Sequence, residues 1–249
     1  DQMTMGNTIL WNSVEVEEEI SETFDEKPKT VSWREVPWAM DVAKDYKAKR
    51  GEWFWEYGLL MNTIYDAEEI RDHMFRAIYG NWYNVKQDPE NANLKMKWMA
   101  YVAGKRESRR IMGDYILTEN DVINRPDFED GFVEEVRDID IHYPKGGKYD
   151  FLTYADFTKI ERYKIPYRCF YSKDIDNLFM AGRCLSATHV GLGSPRVMHT
   201  TAQMGVVVGT AAVVCTENKC SPREVYNAHL PEMKSRLDKM RIEEKETNH

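Results

Sequence analysis

Residues 177–216, NLFMAGRCLSATHVGLGSPRVMHTTAQMGVVVGTAAVVCT, constrain the fold of this chain more than any other stretch. Positions 197–216 carry no formal charge, and a run that long is enough for one membrane-crossing helix. Yet His199, Thr200, Thr201 and Gln203 are costly in lipid, and no aromatic or basic girdle flanks the run. The expectation is a helix buried inside a soluble domain. Upstream, NLFMAG reads as a short buried strand closed by Gly182. RCLSATHVGLG reads as a loop. Ser194 then reads as an N-cap with Pro195 at the first helical position, the helix running to about Cys215. Gly205, Gly209, Ala211 and Ala212 make one side of that helix small, so backbone or ligand can approach closely. A strand, a glycine loop and a helix N-terminus together suit an anion or an electron-rich carbonyl.

GLGSPR comes close to a dinucleotide fingerprint but departs from it in detail. The glycines of that motif follow the strand at once, inside a βαβ unit. Here eight residues separate Gly182 from Gly191, Arg196 takes the third glycine position, and no second parallel strand follows.

The rest of the chain sets the class. Its 249 residues, 42% hydrophobic and 31% charged, fit a soluble globular protein of one large or two modest domains. A net charge of −8 without a long basic run argues against nucleic acid as the main partner. One or two arginines can still hold a small anion. None of the four cysteines forms a CxxC pair and no histidine stands at zinc-finger spacing, so no metal site is expected; the even count permits disulfides without requiring them, and most of the thiols are read as reduced and buried.

Residues 8–16 are β-prone, and 17–32 read as an acidic, then Lys/Pro-rich surface excursion. Pro37 opens a short helix towards Arg50, Gly51 breaks it, and WFWEYG reads as a strand. Residues 66–86 form an amphipathic helix, with Asp66 and Glu69 as its capping pair and Ile70, Met74, Ile78, Trp82 and Val85 on one face. A second helix is expected over 91–103, ending at Gly104. Thr118 with Asp121 caps a short helix. Residues 132–141 read as a strand, Gly146-Gly147 as a loop, and 163–172 as extended because Pro166 excludes a helix. Ser221-Pro222-Arg223-Glu224 starts a charged terminal helix.

The segment from NLFMAG to GTAA resembles the C-terminal flavin-contacting segment of FAD-dependent oxidoreductases, specifically a bacterial family with a glutathione-reductase-type FAD fold and an inserted substrate domain. TMGNTILW, TIYDAEEIRDHMFRAIYG, ESRRIMGDYILTENDV, DIDIHYP and IPYRCFYSKDIDN look like further blocks of that family, in order. The family opens with a Rossmann unit whose GxGxxG binds the ADP half of FAD. No such motif occurs here, so the resemblance is to the C-terminal half. It implies an α+β chain, part of an α/β FAD-binding fold, with a mixed-sheet substrate domain followed by the last strand and helix of the FAD domain. The implied divisions are a substrate or cap domain over 1–165, a flavin-binding segment over 166–216 and a helical tail over 217–249.

The resemblance implies FAD as cofactor and a small organic molecule as substrate. Ala181, Gly182 and Arg183 would lie near the ribityl and pyrophosphate. Gly193, Ser194, Pro195 and Arg196 would lie at a helix start near flavin N1 and O2. Substrate-side candidates are His189, His142, Tyr143, Arg110 and Arg168, each with a structural role as the alternative. Implied partners are the N-terminal FAD-binding half, on the same or a separate chain, and a second copy of the chain. A non-catalytic remnant or a carbohydrate-associated module, using the many Trp and Tyr for stacking, is the other reading. The compartment is left open.

Overall fold

A computed structural model describes residues 4–16, 39, 42, 43 and 45–247, with side chains up to residue 240. The expected excursion at 17–32 and most of the expected helix after Pro37 lie outside the described residues. The chain divides into two compact units: residues 2–108 with 142–155, and residues 109–141 with 156–249.

The first unit holds strands β1 (Asn7–Thr8), β2 (Trp11–Glu15), β3 (Arg50–Gly51) and β4 (Glu56–Tyr57), helix α1 (Ala67–Lys86), and strands β5 (Leu94–Met99) and β6 (Gly104–Lys105). They form two antiparallel three-stranded sheets, ordered β4-β1-β6 and β3-β2-β5. Helix α1 forms where the apolar residues recur at helical spacing: Ile70, Met74, Ile78, Trp82 and Val85 are all buried. Its expected cap is replaced. The Asp66 carboxylate accepts from the Asn62 N–H, four residues upstream, and makes no cap hydrogen bond. The core is aromatic, with Trp11 edge-on to Trp55 at 5.3 Å and to Trp82 at 6.2 Å between ring centroids.

Two expectations change in this unit. Gly51 does not break a helix; it pairs with Trp11 across β2 and β3. The expected helix over 91–103 is a strand: β5 pairs with β2 from Trp11↔Met99 to Glu15↔Leu94. Leu94 is buried while Lys95 and Lys97 point out, a period-two pattern. Cross-strand pairing with β2 overrides the helix propensity of its Leu, Lys and Met.

The second unit contains α2 (Glu119–Asn124), β7 (Gly131–Glu135), β10 (Tyr163–Pro166), α3 (His189–Leu192), α4 (Met198–Asn218), α5 (Pro222–Ala228) and α6 (Leu230–Thr247). Strands β8 (Ile139–Pro144) and β9 (Thr153–Thr158) pair with each other, and the chain passes between the units along them. β7 pairs antiparallel with β10. Thr118 and Ser221 both form the expected capping boxes, on α2 and α5. The terminal helix is two helices, broken at His229. Among the described residues, small antiparallel sheets and six helices make an α+β fold, as expected.

Candidate functional site

The 177–196 stretch lies in the second unit and departs from strand, loop, helix. NLFMAG makes only an isolated antiparallel bridge, Phe179 to Tyr171. The extended run comes a few residues later, beside residues 111–117. Ile111 N–H donates to Cys184 O, Leu117 N–H to Ser186 O and Thr188 N–H to Leu117 O, with Leu117 and Ala187 in parallel register. Thr188 then caps the one-turn helix α3 through Gly191 N–H at 3.0 Å. A Cβ on Gly191 would stand 2.5 Å from Leu117 O, so only glycine lets these backbones meet.

Ala181, Gly182 and Arg183 form an open turn. Ala181 and Arg183 are exposed. Gly182 has φ +107°, a conformation side chains rarely adopt, and nothing lies within 4 Å of where its Cβ would be. Its N–H donates to Met204 Sδ of α4 at 3.4 Å. The turn therefore stands at the surface, with the Arg183 side chain exposed beside it.

Gly193, Ser194, Pro195 and Arg196 are arranged otherwise. They form a turn before α4, whose N-cap is Val197 and carries no side-chain cap bond. Ser194, expected as that cap, is fully buried and donates instead to Arg137 O at 2.6 Å. A Cβ on Gly193 would meet Ile141 Cδ1 at 2.8 Å and Ile139 Cγ2 at 3.0 Å. Arg196 donates to Asp140 Oδ2 at 2.7 Å, and Arg137 donates to the same oxygen at 2.6 Å. Thr200 donates to the buried Glu135 carboxylate. This turn is clamped onto the β7–β8 connection by its own polar groups.

Two expected arginines also have structural partners. Arg168 forms a bidentate pair with the fully buried Asp130, at 2.9 and 3.0 Å. Its guanidinium lies over the rings of Tyr226 (4.8 Å) and Tyr115 (5.2 Å). Asp130 holds the Arg168 proton above its ordinary range. Arg110 donates to Ala187 O at 2.7 Å and so supports the loop. His189 begins α3 and is buried, 6% exposed.

His142 belongs to the first unit, inside a buried polar cluster. Its Nδ1 lies 2.5 Å from Glu56 Oε2 and 2.7 Å from Arg106 Nη1. The same Glu56 oxygen accepts from Arg106 at 2.9 Å and from Thr153 Oγ1 at 2.9 Å. Glu56 is fully buried, and its Oε1 takes no hydrogen bond from the described residues. Trp53, 42% exposed, leans on the imidazole at 5.1 Å. An imidazole nitrogen either donates or accepts, so Glu56 and Arg106 compete for Nδ1. The two contacts ask opposite things of Nδ1, a donor towards the Glu56 carboxylate and an acceptor towards the Arg106 guanidinium. Tyr143, on the same strand, lies beside Tyr154 at 5.7 Å.

Sequence reasoning missed Glu56, Arg106, Thr153 and Asp130. Glu56 had a readable signal, a lone carboxylate in the aromatic run WFWEYG, because a buried charge needs a partner. Asp130 had none.

Beside α4, a groove of about 370 Å³ is lined by Phe132, His199, Gln203, Val206, Leu237 and Met240. None of the residues expected from sequence lines it. Helix α4 is long and apolar enough to cross a membrane by length and composition, and a third of its apolar window is buried. Met198, Val206 and Val213 are exposed along it. Among the described residues no cluster of His, Cys, Asp and Glu could hold a metal.

A family of proteins described as FAD dependent oxidoreductase matches residues 7–237. No curated protein and no solved structure matches the chain.

Proposed function

This chain belongs to the FAD-dependent oxidoreductase family, and we propose that it supplies the substrate-side residues and the last flavin-contacting turn of such an enzyme. The match from residue 7 to residue 237 carries the reading. FAD supplies two-electron chemistry when bound, taking electrons from an organic substrate and passing them on.

The fit of the cofactor differs between the two turns. At 181–183 the residues suit it: Gly182 leaves open space where a Cβ would stand, and Arg183 can neutralise phosphate. At 193–196 the side chains are engaged inside the protein, so these residues act by holding the turn and the start of α4 in place. In this reading Ala181, Gly182 and Arg183 make the contacts, and Gly193, Ser194, Pro195 and Arg196 support them.

His142 stays a substrate-side candidate, held in the polar cluster of the first unit. Glu56 fixes the orientation of its ring through Nδ1. His189 stays a second candidate by its place in the loop, with Arg110 bracing that loop. Arg168 is assigned to structure through Asp130. The exposed apolar side of α4 suits an ADP-binding half, on the same or a separate chain. The test is to denature the protein, isolated with whatever associates with it, and identify the released flavin. FAD is the expected result; protein that carries an ADP-binding half and still holds no flavin overturns the reading.

A further inference from the structure

Helix α4 ends in a way that places two thiols together. Lys219 takes the left-handed conformation, φ 53° and ψ 45°, and closes the helix. The Cys220 N–H then reaches back to Cys215 O at 3.0 Å. This is the six-to-one hydrogen bond of a Schellman motif, which brings the side chains of its two end residues into contact. Those residues here are Cys215 and Cys220. Both thiols are free and half-buried. Cys220 directly precedes Ser221, the N-cap of α5. The motif's usual apolar contact is therefore a dithiol at the joint between two helices.

We propose that Cys215 and Cys220 form a redox modification site, closing to an intramolecular disulfide when the protein meets a peroxide. The six-to-one hydrogen bond holds the two backbones near one another, the condition a disulfide sets. Burial pushes the Cys215 thiol up to about 11, with Cys220 and Glu224 adding to the shift. In this proposal Cys220 supplies the sulfur that attacks a peroxide oxygen. Its sulfur displaces hydroxide and becomes a sulfenic acid. The Cys215 sulfur then attacks that sulfenic sulfur and water leaves. In sum, two thiols and one hydrogen peroxide give one disulfide and two waters. The thiols lose two electrons and two protons, and the peroxide oxygens gain them.

The chain contains its own comparators. Cys169 is fully buried, and burial raises its thiol far above the usual range. Cys184 is half-buried, and its sulfur donates only a long contact, 3.9 Å, to Ala181 O. The proposal is independent of the flavin reading, since it needs only the α4–α5 joint.

The experiment treats the reduced full chain with hydrogen peroxide, blocks remaining thiols with iodoacetamide and maps the peptides by mass. The expected product is one cross-linked species containing Cys215 and Cys220, lighter by two hydrogens, with Cys169 and Cys184 alkylated. Dithiothreitol restores both alkylation sites, and Cys184→Ser leaves the cross-link unchanged. Separate alkylation of Cys215 and Cys220 after peroxide overturns the proposal. So does oxidation of either to a sulfinic or sulfonic acid without a link, or a link from either to Cys184.

Discussion

Replacing Glu56 with alanine tests the buried cluster that equips His142. The Glu56 side chain is fully buried, and one of its oxygens takes three contacts, at 2.5, 2.9 and 2.9 Å. Removing one member of a buried ion pair costs about 3–5 kcal/mol, because the remaining charge stays in low dielectric. Arg106 keeps 18% of its side chain exposed, so water recovers part of that cost and the expected loss lies near the lower end, about 3 kcal/mol. Glu56→Gln keeps the shape and the Thr153 contact but removes the charge, and should cost about 1.5–3 kcal/mol. The assay is urea unfolding followed by tryptophan fluorescence, since Trp11, Trp55 and Trp82 form the core of this unit. With a slope of about 1–3 kcal/mol per molar, the alanine variant should unfold about 1–3 M earlier. A cycle with His142→Ala should show a coupling of about 1 kcal/mol or more. A loss under about 1 kcal/mol for Glu56→Ala, or no coupling to His142, would refute the argument that this carboxylate holds the histidine.

Three further outcomes follow from the geometry. Gly193→Val should cost about 1–3 kcal/mol by overpacking, because its Cβ would press on Ile141, Ile139 and, at 3.1 Å, the backbone oxygen of Val190; an unchanged melting temperature contradicts this. The Asp114 carboxyl lies below its ordinary value of 3.8, chiefly through the Arg223 hydrogen bond. Its stabilisation is therefore complete above about pH 4 and is lost as pH falls through the lowered value. Asp114→Asn should flatten that acid limb by less than about 1 kcal/mol, the pair being partly exposed, and superimposable acid titrations by circular dichroism contradict it. Val206→Glu with Val213→Glu should shift sedimentation of the isolated chain towards monomer if the exposed side of α4 drives self-association; an unchanged distribution removes α4 from that role.

What could be read from the sequence was local. Helix α1 was legible because five apolar residues recur at one spacing, and α2 and α5 because each capping box lies within four residues. The strand at Leu94–Met99 was not, because its identity comes from pairing with β2, far away in the chain. Ser194 had the local pattern of a cap, but its hydroxyl is taken by Arg137 O, 57 residues distant. The glycine-rich stretch was legible as a special loop. Its division into an open turn at Gly182 and a packed turn at Gly193 was not, since that depends on what each Cβ would meet. His142 could be chosen from its place at a strand end, while its carboxylate lies 86 positions away.

The most direct test of the central claim is titration of FAD into the chain, read by flavin fluorescence, beside Gly182→Val and Arg183→Ala. The chain lacks a GxGxxG motif to grip the ADP half, so the account expects saturable binding weaker than micromolar, lost in Gly182→Val and weakened in Arg183→Ala. Micromolar or tighter binding by the isolated chain, unchanged in both variants, would contradict it and place the cofactor elsewhere.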